Sequence, residues 1–184
     1  MKTTDIREGQ WRGKALIKDL KEKKSYIVVL NMNAQRDSRV RMDVLSTLGT
    51  GVASLVADQK EVRYVLFPEK KFFIGQNKSD AMKPILMIPF DPRWLHNILF
   101  ETPFLDKSWS CTKDGGGLLK DCADSVTGLK VSWSNRSGEK RTVLLEHPLA
   151  SVQINIATFK PKVEDRKALF QLDPPAGYRK YRVR

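Results

Sequence analysis

The residues that could do chemistry are few and poorly spaced for it. The chain has two histidines. His96 falls two residues after Trp94 in a segment that reads as a helix, the place of a helix-surface or partly buried side chain rather than of a base. His147 precedes Pro148 at a strand end and reads as a turn residue. Asp106, Ser108, Ser110 and Asp114 build no nucleophile elbow, since no G-x-S-x-G occurs. Gly115-Gly116-Gly117 lacks the Lys-Ser/Thr of a phosphate loop and reads as a hairpin tip. The acidic residues show no metal-loop spacing. The two cysteines are followed by no second Cys or His pair, as a zinc site would need. No catalysis, no metal and no cofactor are expected.

The cysteines have another use. In CTKDGGGLLKDC, a two-residue tip at Gly116-Gly117 places Cys111 directly opposite Cys122. That register makes them a hydrogen-bonded pair with Cα atoms roughly 5.5 Å apart, within disulfide reach. A disulfide argues for an oxidising compartment such as the periplasm. Two free thiols in a cytosolic protein are the other reading.

A second unusual stretch is RMDVLSTLGTGVASL, residues 41–55. Val40, Met42 and Val44 form one arm of a hairpin, and Val52, Ser54 and Val56 the other. The connection between them carries Leu48-Gly49, with Leu45 just before it. Turns are normally polar. The leucine either folds back over the interior or protrudes towards a bilayer or an acyl chain. Burying one leucine yields about 1.5–3 kcal/mol, enough for a transient touch and too little for anchoring.

The elements that must position these residues are mostly strands. Period-two alternation marks strands over 11–20, 25–33, 39–44, 51–57, 61–67 and 71–75, and again near 129–134, 142–146 and 152–157. The final 170–178 reads as a short strand ended by Pro174-Pro175. In the middle, Met82, Ile85 and Leu86 predict a short helix over 80–87. Asp91-Pro92 offers an N-cap and first-turn proline for a second helix bearing Trp94, Leu95, Ile98 and Leu99, ended at Thr102-Pro103. The expectation is mainly β (α+β): an incomplete antiparallel barrel of about eleven strands, residues 1–184 as a single domain, with short helices as a lid. Several strands are apolar on both sides, and two short helices leave much of the inner face uncovered. An apolar cavity is one solution, and a tightly packed core is the other.

Composition bounds the partners. In 184 residues, 33 Lys and Arg face 21 Asp and Glu, a net charge of +12. Such a field attracts anionic partners, or serves only solubility. No nucleic-acid-binding signature accompanies it, and no helix concentrates it. No apolar run reaches the roughly 18–20 residues of a membrane-spanning helix.

Two stretches resemble the LolA/LolB lipoprotein localisation factors, and LolB, the outer-membrane receptor, most closely. Arg41 to Leu55, with Leu48-Gly49 at the turn, resembles that family's strand–loop–strand with its P-L-G turn. Ile88-Pro89-Phe90, then Arg93-Trp94-Leu95, Ile98-Leu99 and Pro103, is similar to its I-P-L…L-R-x-W-I-L…L-P segment. Thr47 stands where the family usually has proline, which predicts a less rigid loop. The Cys111–Cys122 hairpin is not part of the family pattern. The resemblance implies a non-catalytic carrier of lipoprotein acyl chains, with a wall including Val40, Met42, Ile85, Trp94, Leu95, Ile98 and Leu99. It makes Leu45, Leu48 and Gly49 a membrane-insertion loop. Implied partners are acyl chains of lipoproteins or of another lipid, a LolA-like periplasmic donor and an anionic membrane surface, with no nucleic acid. The implied place is the periplasm, at the inner face of the outer membrane, through a lipid anchor that this chain does not carry. The alternatives are a carrier of a different lipid and a basic surface module for an anionic partner.

Overall fold

The computed structural model describes residues 6–84, 86 and 88–183. Among them, twelve strands form one open sheet. In chain order they are β1 (Glu8–Asp19), β2 (Lys24–Gln35), β3 (Arg39–Leu45), β4 (Gly51–Asp58), β5 (Glu61–Leu66) and β6 (Lys71–Gln76). After helix α1 (Trp94–Phe100) come β7 (Trp109–Lys113), β8 (Leu119–Asp124), β9 (Lys130–Ser137), β10 (Lys140–His147) and β11 (Ala150–Lys160). Helix α2 (Arg166–Leu169) and β12 (Arg179–Val183) end the chain. The spatial order is β12-β6-β5-β4-β3-β2-β1-β11-β10-β9-β8-β7, so β1 lies mid-sheet between β2 and β11. Every pairing is antiparallel except β12 with β6, which is parallel. This is the incomplete barrel that the alternation predicts, with one strand more.

Strand parity divides the sheet into two faces. Residues directly opposite on neighbouring strands share a face. One inner rung runs Trp11–Met32–Met42–Leu55–Tyr64–Phe73 across β1 to β6. The next runs Leu30–Val44–Ala53–Leu66. On the other half Ile17 faces Val152, which faces Leu145. Apart from Ala53, these side chains share one core cluster with the buried residues of α1. A small outer cluster joins Val56 of β4 to Val163 and Phe170, where the C-terminal segment crosses the outer face. Arg41 fastens that segment, donating from Nη1 to the Leu169 carbonyl at 2.9 Å.

Four sequence expectations are corrected. The second arm of the hairpin turns Ala53, Leu55 and Ala57 inward, not Val52, Ser54 and Val56. A bulge between Val44 and Leu45 pairs Leu45 with Gly51 and shifts the parity by one. Residues 80–84 form turns rather than the start of a helix, and Ile85 lies outside the described residues. Pro84 lacks the N–H that a helix there would need. Helix α1 starts at Trp94, after a turn in which the Asp91 carboxylate accepts the Arg93 N–H at 2.9 Å. The last strand is Arg179–Val183, after the double proline, because proline cannot donate to a ladder.

Helix α1 has seven residues, too few to be stable alone, and its neighbours hold it. Trp133 donates from Nε1 to the Ile98 carbonyl at 3.1 Å, and Arg141 from Nη2 to the Leu99 carbonyl at 3.0 Å. Helix-end carbonyls otherwise lack partners. Glu101 ends the helix in the left-handed region, φ 52°. Its buried carboxylate pairs with Arg136 at 3.0 Å and Arg141 at 2.9 Å.

Candidate functional site

Between the sheet and α1 lies an apolar cavity of about 570 Å³. That lies inside the ~300–1,000 Å³ typical of ligand sites. Its floor is the inner rung Met32, Met42, Leu55 and Tyr64. Its roof is Leu95, Ile98 and Leu99 of α1, with Met82, Leu86, Ile88 and Phe90 from the connection before the helix. Leu95, Ile98 and Leu99 stand at i, i+3 and i+4, so one helix face meets the void. Polar groups are few. The Tyr64 hydroxyl donates to the Ala81 carbonyl at 3.1 Å, and burial raises its pKa, so the group stays a neutral donor. Glu69 and Lys71 sit at the wall's outer margin.

Strand ends show where the cavity opens. The outermost wall residues are Ile17, Val44, Ala53, Leu66, Leu145 and Val152. Each lies within three residues of the same rim, where the β1–β2, β3–β4, β5–β6 and β10–β11 turns gather. Across β2 to β5 the opposite end is packed. Ala34, Val40, Ala57 and Val62 form a rung there, and each is at most 1% exposed.

The predicted wall residues divide accordingly. Met42, Leu95, Ile98 and Leu99 line the cavity. Val40 faces the same way, one rung beyond the void, in the packed end. Trp94 turns sideways into an aromatic cluster, edge-on to Trp109 at 5.1 Å and Phe90 at 5.8 Å. Ile85 lies outside the described residues. The walls from β1, β2, β4, β5, β10 and β11 are not assigned by the sequence. Their alternation was visible, but the register that turns it inward was not.

The β3–β4 turn stands on the open rim. The Gly49 N–H donates to the Ser46 carbonyl at 3.0 Å, and the Ser46 N–H to the Thr50 carbonyl at 2.8 Å. The Thr50 N–H also donates to Ser46 Oγ at 3.1 Å. Gly49 takes φ 86°, which favours glycine, with nothing near its absent Cβ. Leu48 at the tip is 93% exposed, so it does not fold back. Leu45 is half-buried on the outer face, opposite Val29.

Cys111 and Cys122 are opposite each other and joined by a disulfide. Their Cα atoms are 4.0 Å apart, nearer the narrow pair type than the expected hydrogen-bonded one. A bulge between Thr112 and Lys113 breaks the alternation counted from the tip. That tip is Asp114–Leu118, with the Asp114 carboxylate accepting the Gly116 and Leu118 N–H groups. His147 Nδ1 accepts the Leu149 N–H at 3.1 Å within its turn. His96 lies 3.2 Å from the Gln35 carbonyl through Nε2, and burial lowers its pKa. Among the described residues no group of three His, Cys, Asp or Glu could hold a metal ion.

Comparison with solved structures shows that this fold, an open antiparallel sheet roofed by a short helix, recurs in proteins of low sequence identity. A LolA superfamily protein from Nitrosomonas europaea superposes with a TM-score of 0.60 at 6% identity, covering 91% of each chain. A domain from Vibrio parahaemolyticus assigned to outer-membrane lipoprotein sorting gives 0.55 at 9% identity, covering 89% of this chain and 88% of that one. A DUF1329 family protein from Desulfovibrio piger gives 0.58 at 8% identity, covering 92% and 91%. No family model and no curated protein matches the sequence.

Proposed function

We propose that this protein is a periplasmic, envelope-associated carrier that shelters lipoprotein acyl chains and releases them to the inner face of the outer membrane, in the manner of LolB. The observation that supports it is the 570 Å³ apolar cavity open at the rim that bears Leu48. The transfer is non-covalent and needs no cofactor. Burying about ten methylenes yields roughly 8 kcal/mol gross, reduced by the ordering of a flexible chain. That gives an affinity high enough to hold the cargo and low enough to surrender it to a bilayer. A LolA-like carrier is the donor, and Leu48 opens the lipid surface to the arriving chain. A lipid anchor upstream of these residues keeps the receptor at its membrane.

The test is binding of a fluorescent acyl probe, with mass spectrometry of lipid that co-purifies. The wild-type protein binds the probe at all salt concentrations. Ala53→Trp, which thrusts a ring into the mouth, lowers affinity at least about tenfold. Absence of probe binding, together with salt-sensitive capture of acidic polymers, would favour the basic surface module instead.

A further inference from the structure

We propose that the whole rim around the cavity mouth, and not the Leu48 turn alone, is a docking face for an anionic membrane surface. The inference rests on the carrier reading and extends it. Five connections succeed one another along this rim in sheet order: β3–β4, β1–β2, β10–β11, β8–β9 and the turn leading into β7. Each shows solvent one aliphatic side chain: Leu48 at 93% exposure, Leu20 at 48%, Leu149 at 40%, Val126 at 80% and Leu105 at 96%. Backbone contacts tie neighbours together. The Leu20 N–H donates to the Leu149 carbonyl, and the Ser125 N–H, beside Val126, to the Ser108 carbonyl in the turn after Leu105, both at 3.0 Å.

The opposite rim obeys ordinary turn chemistry. Its tips are Arg36-Asp37-Ser38, Gln59-Lys60, Gly138-Glu139 and the turn from Asp114 to Leu118. Among the described residues there, Leu118 is the one exposed large aliphatic, at 39%. Single exposed apolar residues are commonplace on protein surfaces. What sets these apart is their gathering around one mouth.

Charge completes the pattern. Lys18, Lys21, Lys23 and Lys24 crowd the β1–β2 turn against Asp19 and Glu22. Lys70 and Lys71 stand against Glu69 on the β5–β6 turn, which lacks an aliphatic tip. A protein partner is met by a contiguous apolar patch. Separate aliphatic tips set among lysines match a bilayer interface, where shallow insertion and attraction to anionic headgroups add. With the rim seated, the mouth faces the lipid, and a chain passes between bilayer and cavity without crossing water.

Flotation with vesicles of phosphatidylglycerol and phosphatidylethanolamine, against phosphatidylcholine, at low and high salt, tests this. The wild-type protein is expected to bind the anionic vesicles and to be released by salt. The variant Leu20→Ser/Val126→Ser/Leu149→Ser, with Leu48 kept, is expected to bind them at least about tenfold more weakly while holding the acyl probe as before. Equal vesicle binding by both overturns the rim and leaves Leu48 alone. Wild-type protein that holds the probe and ignores vesicles overturns it too, with the carrier reading intact. Vesicle binding without probe binding keeps the rim and removes the carrier reading. A dimer dispersed by the same substitutions, with no vesicle binding, would assign the rim to a second copy. If the triple variant fails to fold, Lys21→Gln/Lys24→Gln/Lys70→Gln, all exposed, is expected to lose affinity for anionic vesicles only. Unchanged binding by that variant overturns the inference.

Discussion

Leu48 and His96 illustrate two ways a side chain can stand against its surroundings. Leu48 makes no use of its apolar surface within the fold, and the hydrogen bonds beneath it belong to Ser46, Gly49 and Thr50. Leu48→Glu therefore leaves the unfolding free energy within about 0.5 kcal/mol of wild type. It is expected to reduce delivery of an acylated cargo to vesicles about tenfold, since burying a leucine is worth about 1.5–3 kcal/mol. A transfer assay with matched thermal melts checks both halves. His96 is the reverse case, a titratable ring held in its neutral form by burial despite carbonyls from Gln35 and Arg39. Its pKa is lower folded than unfolded, so the unfolded chain binds the extra proton first. Stability is full above the ordinary histidine value of about 6.5 and falls as pH drops below it. Denaturant melts between pH 7.5 and 5 should show that loss, and His96→Gln should flatten it.

Among the elements, α1 owes its place to the strands beside it. Glu101 and the two arginines form a buried ion cluster at the helix end, and breaking such a cluster by removing one partner typically costs about 3–5 kcal/mol. Glu101→Ala is expected to destabilise by that order and to speed exchange of a bound acyl probe, read by urea melts and stopped-flow fluorescence. The sequence carried no sign of this cluster, because Glu101, Arg136 and Arg141 lie on separate elements. Strand β3 was legible because Val40, Met42 and Val44 alternate with Arg41 and Asp43, and β2 because of its apolar, β-branched run Ile27-Val28-Val29-Leu30. The inward parity of β4 was not, because Val52 is absorbed in a bulge. The helix face Leu95, Ile98 and Leu99 could be read from spacing alone. Val40 could not be told from Met42, because both share a face and differ only in depth. β12 was hidden by its brevity and charge, as Tyr181 and Val183 alternate with Lys180 and Arg182 over only 5 residues at an exposed edge. Such charges blunt an edge against further pairing.

For the molecule as a whole, the disulfide secures the far edge of the sheet, where β7 pairs only with β8. Closing so short a loop yields about 3 kcal/mol at most. Reduction, or Cys111→Ser/Cys122→Ser, should lower the melting temperature by several degrees and leave acyl-probe affinity near wild type, because neither cysteine lines the cavity. Calorimetry with and without reductant, paired with a probe titration, decides it. The placement of β1 has a further outcome. Strand β1 is zipped on one flank to β2, its immediate successor, and on the other to β11, far later in the chain. A nascent chain lacking that late segment keeps a bare ribbon at its middle, open to foreign pairing. The middle of the sheet is thus completed only once β11 has been made.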